Sequence, residues 1–441
     1  DPKRVGAEIE KALGGHQFVL SKEHDAIRIV GIDDSRGPVI DALPLKNGIS
    51  EDLAHRDFTI NSMAIPITES SYDAMNASVI DPYGGRQDVE NSTVRAISPK
   101  VFSNDPIRLM RAPRLAAKLG FTIDDETARL IRSNVNLVST IARERVRDEF
   151  MKLLSQPRSS KNLRLMDNLG LLCKIIPELG KTKGVTQPQE HHWNVFEHSI
   201  EAVGQVEALL GASSNKNIFP YNITPQFEFM DRYFSEELSD NYNRSEFLKL
   251  AALLHDISKP DTKTLGPSGR IRFIGHNSEG AKVVSNILEK YRFSRNSIDL
   301  VSRMVLYHLR PSQMAEPGMT ASTRAIYRYF RDLGNVAIDT LYLNLGDYLA
   351  ARGPKLSASE WTVHCEIIGH ILKSMGTVDM KRAPALISGH VIMKTFGLKP
   401  GPDVGKLIEV VNEAQASGEI SSPQDAIGLI ETRLDNGGKR A

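Results

Sequence analysis

Cysteine is nearly absent: Cys173 and Cys365 are the only two among 441 residues. That excludes a disulfide scaffold and any four-cysteine zinc site, and it fits a reducing compartment. An excess of charge is also missing, because 55 Lys+Arg face 54 Asp+Glu for a net charge of +1. Any nucleic-acid surface must therefore come from local clustering rather than from a whole-chain polycation. No apolar run approaches the roughly 18 residues of a membrane span. No basic-then-apolar signal segment opens the chain. Repeats and low-complexity tracts are lacking too, which excludes collagen-like, coiled-coil and disordered classes. What remains is long enough for two to four domains. The expectation is a soluble, cytoplasmic, multidomain protein with no membrane partner.

The pattern along the chain predicts a mixed architecture. Residues 1–14 read as an amphipathic helix with Val5, Ile9 and Leu13 inward, ended by Gly14-Gly15. Since Asp1 is no initiator methionine, the chain is expected to begin inside a domain. Stretches 18–20, 26–30 and 39–43 read as short strands. From about residue 100 the signals become helical. Ser103 is expected to cap a helix with Pro106 in its first turn and Ile107, Met110, Leu115 and Leu119 inward. Further helices are expected over 125–135, 143–155 and 160–173. A polar stretch at 212–244 reads as a surface loop, and the helical tail breaks at 397–402. The fold class is thus a partial α/β head followed by a long all-α body.

Three stretches of the head carry chemistry. Arg56-Asp57 lies within EDLAHRDFTINSMA (51–64), Gly84-Gly85 within DPYGGRQDV (81–89), and Asp105 and Arg108 within NDPIRLMRAPRLAAKLGF (104–121). An Arg fork suits phosphate and an Asp accepts from ribose hydroxyls. An adjacent acceptor and fork suit the Watson–Crick edge of a base. Arg108, Arg111 and Arg114 fall three apart, on one broad helix face. Separately these read as a surface ion pair, a turn and a solvated face. Together and in this order they resemble the class II nucleotidyltransferases, the bacterial CCA-adding enzymes and their poly(A) polymerase relatives. RERVRDEFMKLL (143–154) is similar to that family's neck.

The resemblance implies nucleotide binding by Arg56, Asp57, Asn61, Asp105, Arg108, Arg111 and Arg114. It implies that Asp41 is a catalytic carboxylate for Mg²⁺ in nucleotidyl transfer. ATP, CTP and the 3′ end of tRNA or another RNA would be the partners. The sequence also departs from the family. The motifs G-G-x-V-R-D and D-x-D are absent, and Asp33-Asp34 is adjacent rather than alternating. Asn104 stands for the first acid of the template motif and His55 for an Arg. An N-terminally truncated chain that does not itself transfer nucleotides is the expectation. Arg143, Arg145 and Arg147 are candidate tRNA contacts or structural ion-pair residues.

Six of the twelve histidines fall between residues 191 and 308. Neutral imidazoles with carboxylates make divalent transition-metal sites. The ordered set His198, His255-Asp256, His276, His308 and Asp347 resembles the HD phosphohydrolase superfamily. The resemblance implies a centre for Ni²⁺, Mn²⁺ or Co²⁺ with Asp256 catalytic, acting on a phosphoester such as a 2′,3′-cyclic phosphate. Lys259 and Arg310 stand near enough in sequence to reach phosphate, and His191 and His192 to touch substrate. The expected regions are head 1–92, neck 93–185, HD domain 186–355 and a tRNA-binding tail 356–441. Two readings compete with a nucleotidyltransferase bearing an HD domain: an HD phosphohydrolase whose head only binds RNA or nucleotide, and a non-catalytic RNA-binding protein.

Overall fold

The computed structural model describes residues 1–21, 25–31, 37–45, 47–67, 78–211, 217–315, 319–376 and 385–437. Asp33-Asp34 and Ser213 to Asn215 lie outside them. The chain forms two compact units: residues 1–108 with 121–130, and residues 109–120 with 131–441.

In the first unit, helix α1 (Pro2–Leu13) starts on an Asp1 cap, whose Oδ1 accepts from Lys3 N at 3.0 Å, and stops at Gly14 with φ 76°. Its buried contact is Gly6, together with Ile9 against the core, while Val5 and Leu13 stay about half exposed. The expected inward triplet was therefore shifted, because only a residue without Cβ fits over Ile27 and Gln17. Strands β1 (His16–Ser21), β2 (Ala26–Val30) and β3 (Ile40–Ala42) form an antiparallel sheet in that order, as the sequence predicts. Then come α2 (Ile49–Ala54), α3 (Gly85–Glu90), β4 (Thr93–Val94) and α4 (Val101–Asn104). Ser103 caps nothing; it sits in α4, and its hydroxyl donates to Lys100 O. Helix α5 begins only at Arg108 and runs to Leu119, with Leu109 and Met110 buried and Leu119 exposed. Strand β5 (Thr122–Ile123) pairs parallel with β4, and α6 (Asp125–Asn134) follows.

The second unit is helical. The neck is α7 (Arg143–Leu154), α8 (Ser159–Asn168), α9 (Leu172–Ile175) and α10 (Pro177–Thr182). The helix expected over 160–173 is broken where Gly170 takes φ 77°. Next come α11 (Val195–Leu210) and α12 (Met230–Ser235), then the hairpin β6 (Glu237–Ser239)–β7 (Tyr242–Asn243). Met230, Phe234 and Tyr242 are buried, so the part of 212–244 that is described is not a mere surface loop; apolar residues spaced among polar ones hid it.

Helix α13 (Arg244–Leu254) carries an Asn243/Glu246 capping box and buries nine of its 11 residues, which marks it as central. Around it stand α14 (Lys259–Thr262), the hairpin β8 (Lys263–Leu265)–β9 (Ile271–Phe273), α15 (His276–Lys290), α16 (Arg295–Tyr307), α17 (Arg310–Gln313), α18 (Thr323–Leu333), α19 (Ala337–Arg352) and α20 (Ala358–Lys373). The tail helices α21 (Gly389–Phe396), α22 (Pro402–Ala416) and α23 (Pro423–Gly437) build a small core of their own around Ile392, Val411 and Ile430. No described helix is long and apolar enough to cross a membrane.

The neck is fastened to these helices by its arginines. Arg147 Nη1 donates to Arg292 O at 2.5 Å and its guanidinium covers Phe293, while Arg143 lies over Tyr291. Helices α11 and α19 pack against each other because Gly346 has no side chain: a Cβ there would stand 2.6 Å from Val206 Cγ2. Gly346→Ala is expected to destabilise the body by about 1–3 kcal/mol through overpacking. Denaturant unfolding should show a lower midpoint at unchanged m-value.

Candidate functional site

Two groups of candidate residues are brought together, one in each unit. In the head, Asp57 is buried, and its Oδ1 accepts from Phe58 N at 2.8 Å and Asn61 Nδ2 at 3.0 Å. The loop below is fixed because Thr59 Oγ1 donates to buried Asp88 at 2.7 Å and Ile97 N donates to Asp57 O. Arg108 reaches back 52 residues, donating to Arg56 O at 3.0 Å and His55 O at 2.6 Å, with Asp105 3.8 Å from its Nε. Asp105, Arg108, Asp57 and Asn61 thus form one patch of acceptors and a fork around the 55–57 turn. Arg56 itself turns away to Asp52 at 2.7 Å. Asp81 caps α3 by accepting from Gly85 N and Arg86 N, and its backbone partners hold its carboxyl below the usual range against burial.

Asp41 stands across the sheet from Arg28 in a two-toothed ion pair, both bonds 2.7 Å. The Arg28 hydrogen bond lowers its pKa. Arg111 and Arg114 belong to the second unit. Arg114 is paired with Glu149 at 2.5 Å, so it does not share the outward face predicted with Arg108.

The second group is the histidine–aspartate set. All six predicted ligands converge at one buried point, delivered by five separate helices. His198 is on the first turns of α11, which Asn194 caps. His255 and His308 close α13 and α16, His276 opens α15 after Gly275 at φ 80°, and Asp347 follows Gly346 on α19. Helix ends leave carbonyls unpaired. Here Ala252 O accepts from His255 Nδ1 at 2.8 Å and Val305 O from His308 Nδ1 at 2.7 Å. Phe273 O does the same for His276 at 2.6 Å. A carbonyl only accepts, so Nδ1 carries the proton and Nε2 points its other edge inward.

The two oxygens of Asp256 face opposite sides. Oδ2 lies 3.2 Å from His255 Nε2 and 3.4 Å from His198 Nε2. Oδ1 lies 3.3 Å from His276 Nε2 and 3.9 Å from His308 Nε2. Asp347 Oδ1 is 3.0 Å from His198 Nε2. Two three-residue sets have ligand atoms all within 4.8 Å of one another: His198, His255 and Asp347, and His255, Asp256 and His308.

Burial works against charge here, yet Asp256 and Asp347 are held well below the usual carboxylate range by the neighbouring imidazoles, with Lys259 also acting on Asp256. The same contacts hold His255 up to about 10 against its burial. Burial and the nearby His255 push His308 down to about 3. Converging imidazole nitrogens and acidic oxygens, buried and pre-aimed, are the donor set of a divalent transition metal.

Beside this point lies a cavity of about 360 Å³ lined by His191, Asp256, Lys259, His276, His308 and Asp347 among others. Lys259 Nζ sits 2.6 Å from Asp256 Oδ2 and donates to Gln187 Oε1 at 2.7 Å. Sequence spacing offered no sign of Gln187, which comes from a distant loop. Burial pushes His191 down to about 4, whereas His192 is exposed against Trp193. Arg310 does not line the cavity; it pairs with Asp332 at 2.8 Å.

His255→Ala, which removes a member of both three-residue sets, is expected to reduce bound divalent metal to background by elemental analysis. His308→Ala, a member of one set, should retain part of it. Chelation should lower the melting temperature of the wild-type chain, and the shift should grow with metal concentration.

Comparison with known proteins follows the same division. Residues 21–95 match the poly A polymerase head domain, 120–182 the probable RNA and SrmB binding site of polymerase A, and 232–351 the HD domain. His198 lies outside the matched HD span and is added by the fold. An A-adding tRNA nucleotidyltransferase of Deinococcus radiodurans is 29% identical over 98% of this chain and 89% of its own. A CC-adding tRNA nucleotidyltransferase of Thermus thermophilus is 28% identical over 98% and 87%. A solved CCA-adding enzyme with ATP superposes with TM-score 0.61 at 16% identity, covering 98% of this chain and 85% of that one, which shows a common fold. From head, neck and HD domain in this order, the chain belongs to the tRNA nucleotidyltransferase/poly(A) polymerase family with an HD domain.

Proposed function

We propose that the protein completes tRNA 3′ ends by adding C or A, and that its HD centre is a second, phosphoester-hydrolysing site. The observation that carries the first part is the near full-length similarity to A-adding and CC-adding relatives, joined to the Asp105–Arg108 patch in the head. The regions are head 1–92, neck 93–185, HD domain 186–355 and tRNA-binding tail 356–441. Asp105 and Arg108 present an acceptor and a fork to the base of ATP or CTP. Arg56, Asp57 and Asn61 stand for phosphate and ribose, and Arg111 and Arg114 are kept as nucleotide-binding candidates on the resemblance alone. Arg108 must release the carbonyls of His55 and Arg56 to read a base, and Arg56 must release Asp52. Asp41 is the head's candidate carboxylate for Mg²⁺, at present held by Arg28.

In the body, His198, His255, Asp256, His276, His308 and Asp347 would hold one or two divalent ions. Ni²⁺, Mn²⁺ or Co²⁺ suits such ligands. When bound, the metal supplies a polarised phosphoryl oxygen and a water of lowered pKa. The chain's own part is to fix the imidazole tautomers, keep bulk water out and offer Lys259 to a phosphate oxygen. A 2′,3′-cyclic phosphate or a phosphomonoester is the substrate class.

One observation favours the second reading, an HD phosphohydrolase with a binding head. No D-x-D pair occurs in residues 1–441, and Asp41 is already neutralised. The deciding experiment offers the chain labelled ATP and CTP with tRNA lacking its last A or its whole CCA, and separately 2′,3′-cyclic AMP. Incorporation that survives Asp256→Asn but drops at least about tenfold in Arg108→Ala is the result the first reading requires, and it would overturn the expectation that this chain does not itself transfer nucleotides. Hydrolysis should show the reverse dependence. Hydrolysis without incorporation assigns the chain to the second reading.

A further inference from the structure

The hairpin β8–β9 is exposed and lines the HD cavity. Its turn, Gly266 to Gly269, closes with Gly266 N donating to Arg270 O at 2.8 Å. Its second strand runs straight into His276, and Phe273 O orients that ligand. Arg270, Arg272, Phe273 and Ile274 line the mouth of the cavity whose floor is Asp256, His276 and His308. Arg270 is already paired with Glu190 at 2.6 Å. Arg272 has no acid partner among the described residues; its guanidinium folds over Gly266, where a Cβ would come within 2.9 Å of Nε. Beside it, Ile274 is 75% and Leu265 71% exposed.

A free cation next to unpaired apolar surface, at the mouth of a phosphoester-type centre, is the composition of a single-strand track. The cation takes backbone phosphate and the apolar groups take base faces. We propose that this hairpin is a rim that binds a single-stranded oligonucleotide end, with Arg272 on a backbone phosphate one nucleotide or more before the terminal phosphate. The substrate class of the HD centre is then a polynucleotide 3′-phosphate or cyclic phosphate rather than a free nucleotide. This rests on the phosphohydrolase reading of the same centre.

The chain contains only two tryptophans, and Trp361 is fully buried. Trp193, two residues from cavity-lining His191, is therefore a reporter for this mouth. The experiment titrates the non-hydrolysing Asp256→Asn chain with a 3′-phosphorylated oligoribonucleotide about eight nucleotides long, read by quenching of Trp193. Adding Arg272→Ala is expected to raise Kd on the order of tenfold and to reduce the slope of log Kd against log salt by about 0.7. Arg272→Lys should restore part of both, and Lys282→Ala on the exposed side of α15 should change neither. Quenching that is lost in Trp193→Phe confirms where the ligand sits.

The rim is overturned if Arg272→Ala leaves Kd and slope unchanged, or if adenosine 3′-phosphate binds as tightly as the oligonucleotide. Arg272-dependent binding by a chain whose wild type hydrolyses nothing would keep the rim and discard the phosphohydrolase reading. Hydrolysis of 2′,3′-cyclic AMP with binding indifferent to Arg272 would do the opposite.

Discussion

A single buried carboxylate organises the body of this protein. Asp256 is 1% exposed, and an isolated carboxylate in such a place would cost several kcal/mol or take up a proton. It stays ionised because the charges of His255 and Lys259 face it and His198 and His255 bond to it. Each of those partners must come from a different helix, since no single helix can wrap a point. The requirement therefore fixes the mutual placement of α11, α13, α14, α15 and α16. It also explains why two of the histidines sit at helix C-termini, where unpaired carbonyls hold the imidazoles in one tautomer.

The surrounding structure supports that arrangement in ways unrelated to chemistry. Gly346 allows α19 to approach α11 closely enough for the next residue, Asp347, to meet His198. Lys249 of α13 is buried between Glu207, Leu154 O and Ser159, fastening the neck to the central helix. Arg143 and Arg147 add to the same seam, so charge that looked available for RNA is spent on packing. The short β8–β9 hairpin has the opposite character. It has little core of its own, keeps Arg272 free, and changes direction at the cavity.

The head follows a different principle. Its candidate recognition residues are occupied: Arg108 by two carbonyls, Arg56 by Asp52, Asp41 by Arg28. Each is a moderate, partly solvated contact that a triphosphate or a metal ion can replace, since such exposed pairs contribute little net stability. The buried Asp57, Thr59 and Asp88 beneath them do not need to move. Rigid support below exchangeable contacts suits a site that must accept one nucleotide after another.

Much of this was legible in the order of residues alone. The three short strands, the largely helical character of the body and the family follow from periodicity and from motifs whose members are close in sequence, but the expected all-α body is corrected by the hairpins β6–β7 and β8–β9, whose two- and three-residue strands are too short to show a period. The six residues of the histidine–aspartate cluster could be named, because their order His, His-Asp, His, His, Asp resembles the HD superfamily. Other features were not legible. Ser103 looked like a cap but was taken into a short helix, and Val5 and Leu13 yielded the buried face to Gly6. Arg114 was claimed by Glu149, 35 residues on, and Arg310 by Asp332. Gln187 and the free state of Arg272 had no sequence signal at all. The reason is physical. Backbone propensity and hydrophobic period act over a few residues, so sequence determines which elements form and which chemistry they carry. Which charged group a long side chain finally meets depends on distant chain segments brought within 3 Å, and only the tertiary structure decided that.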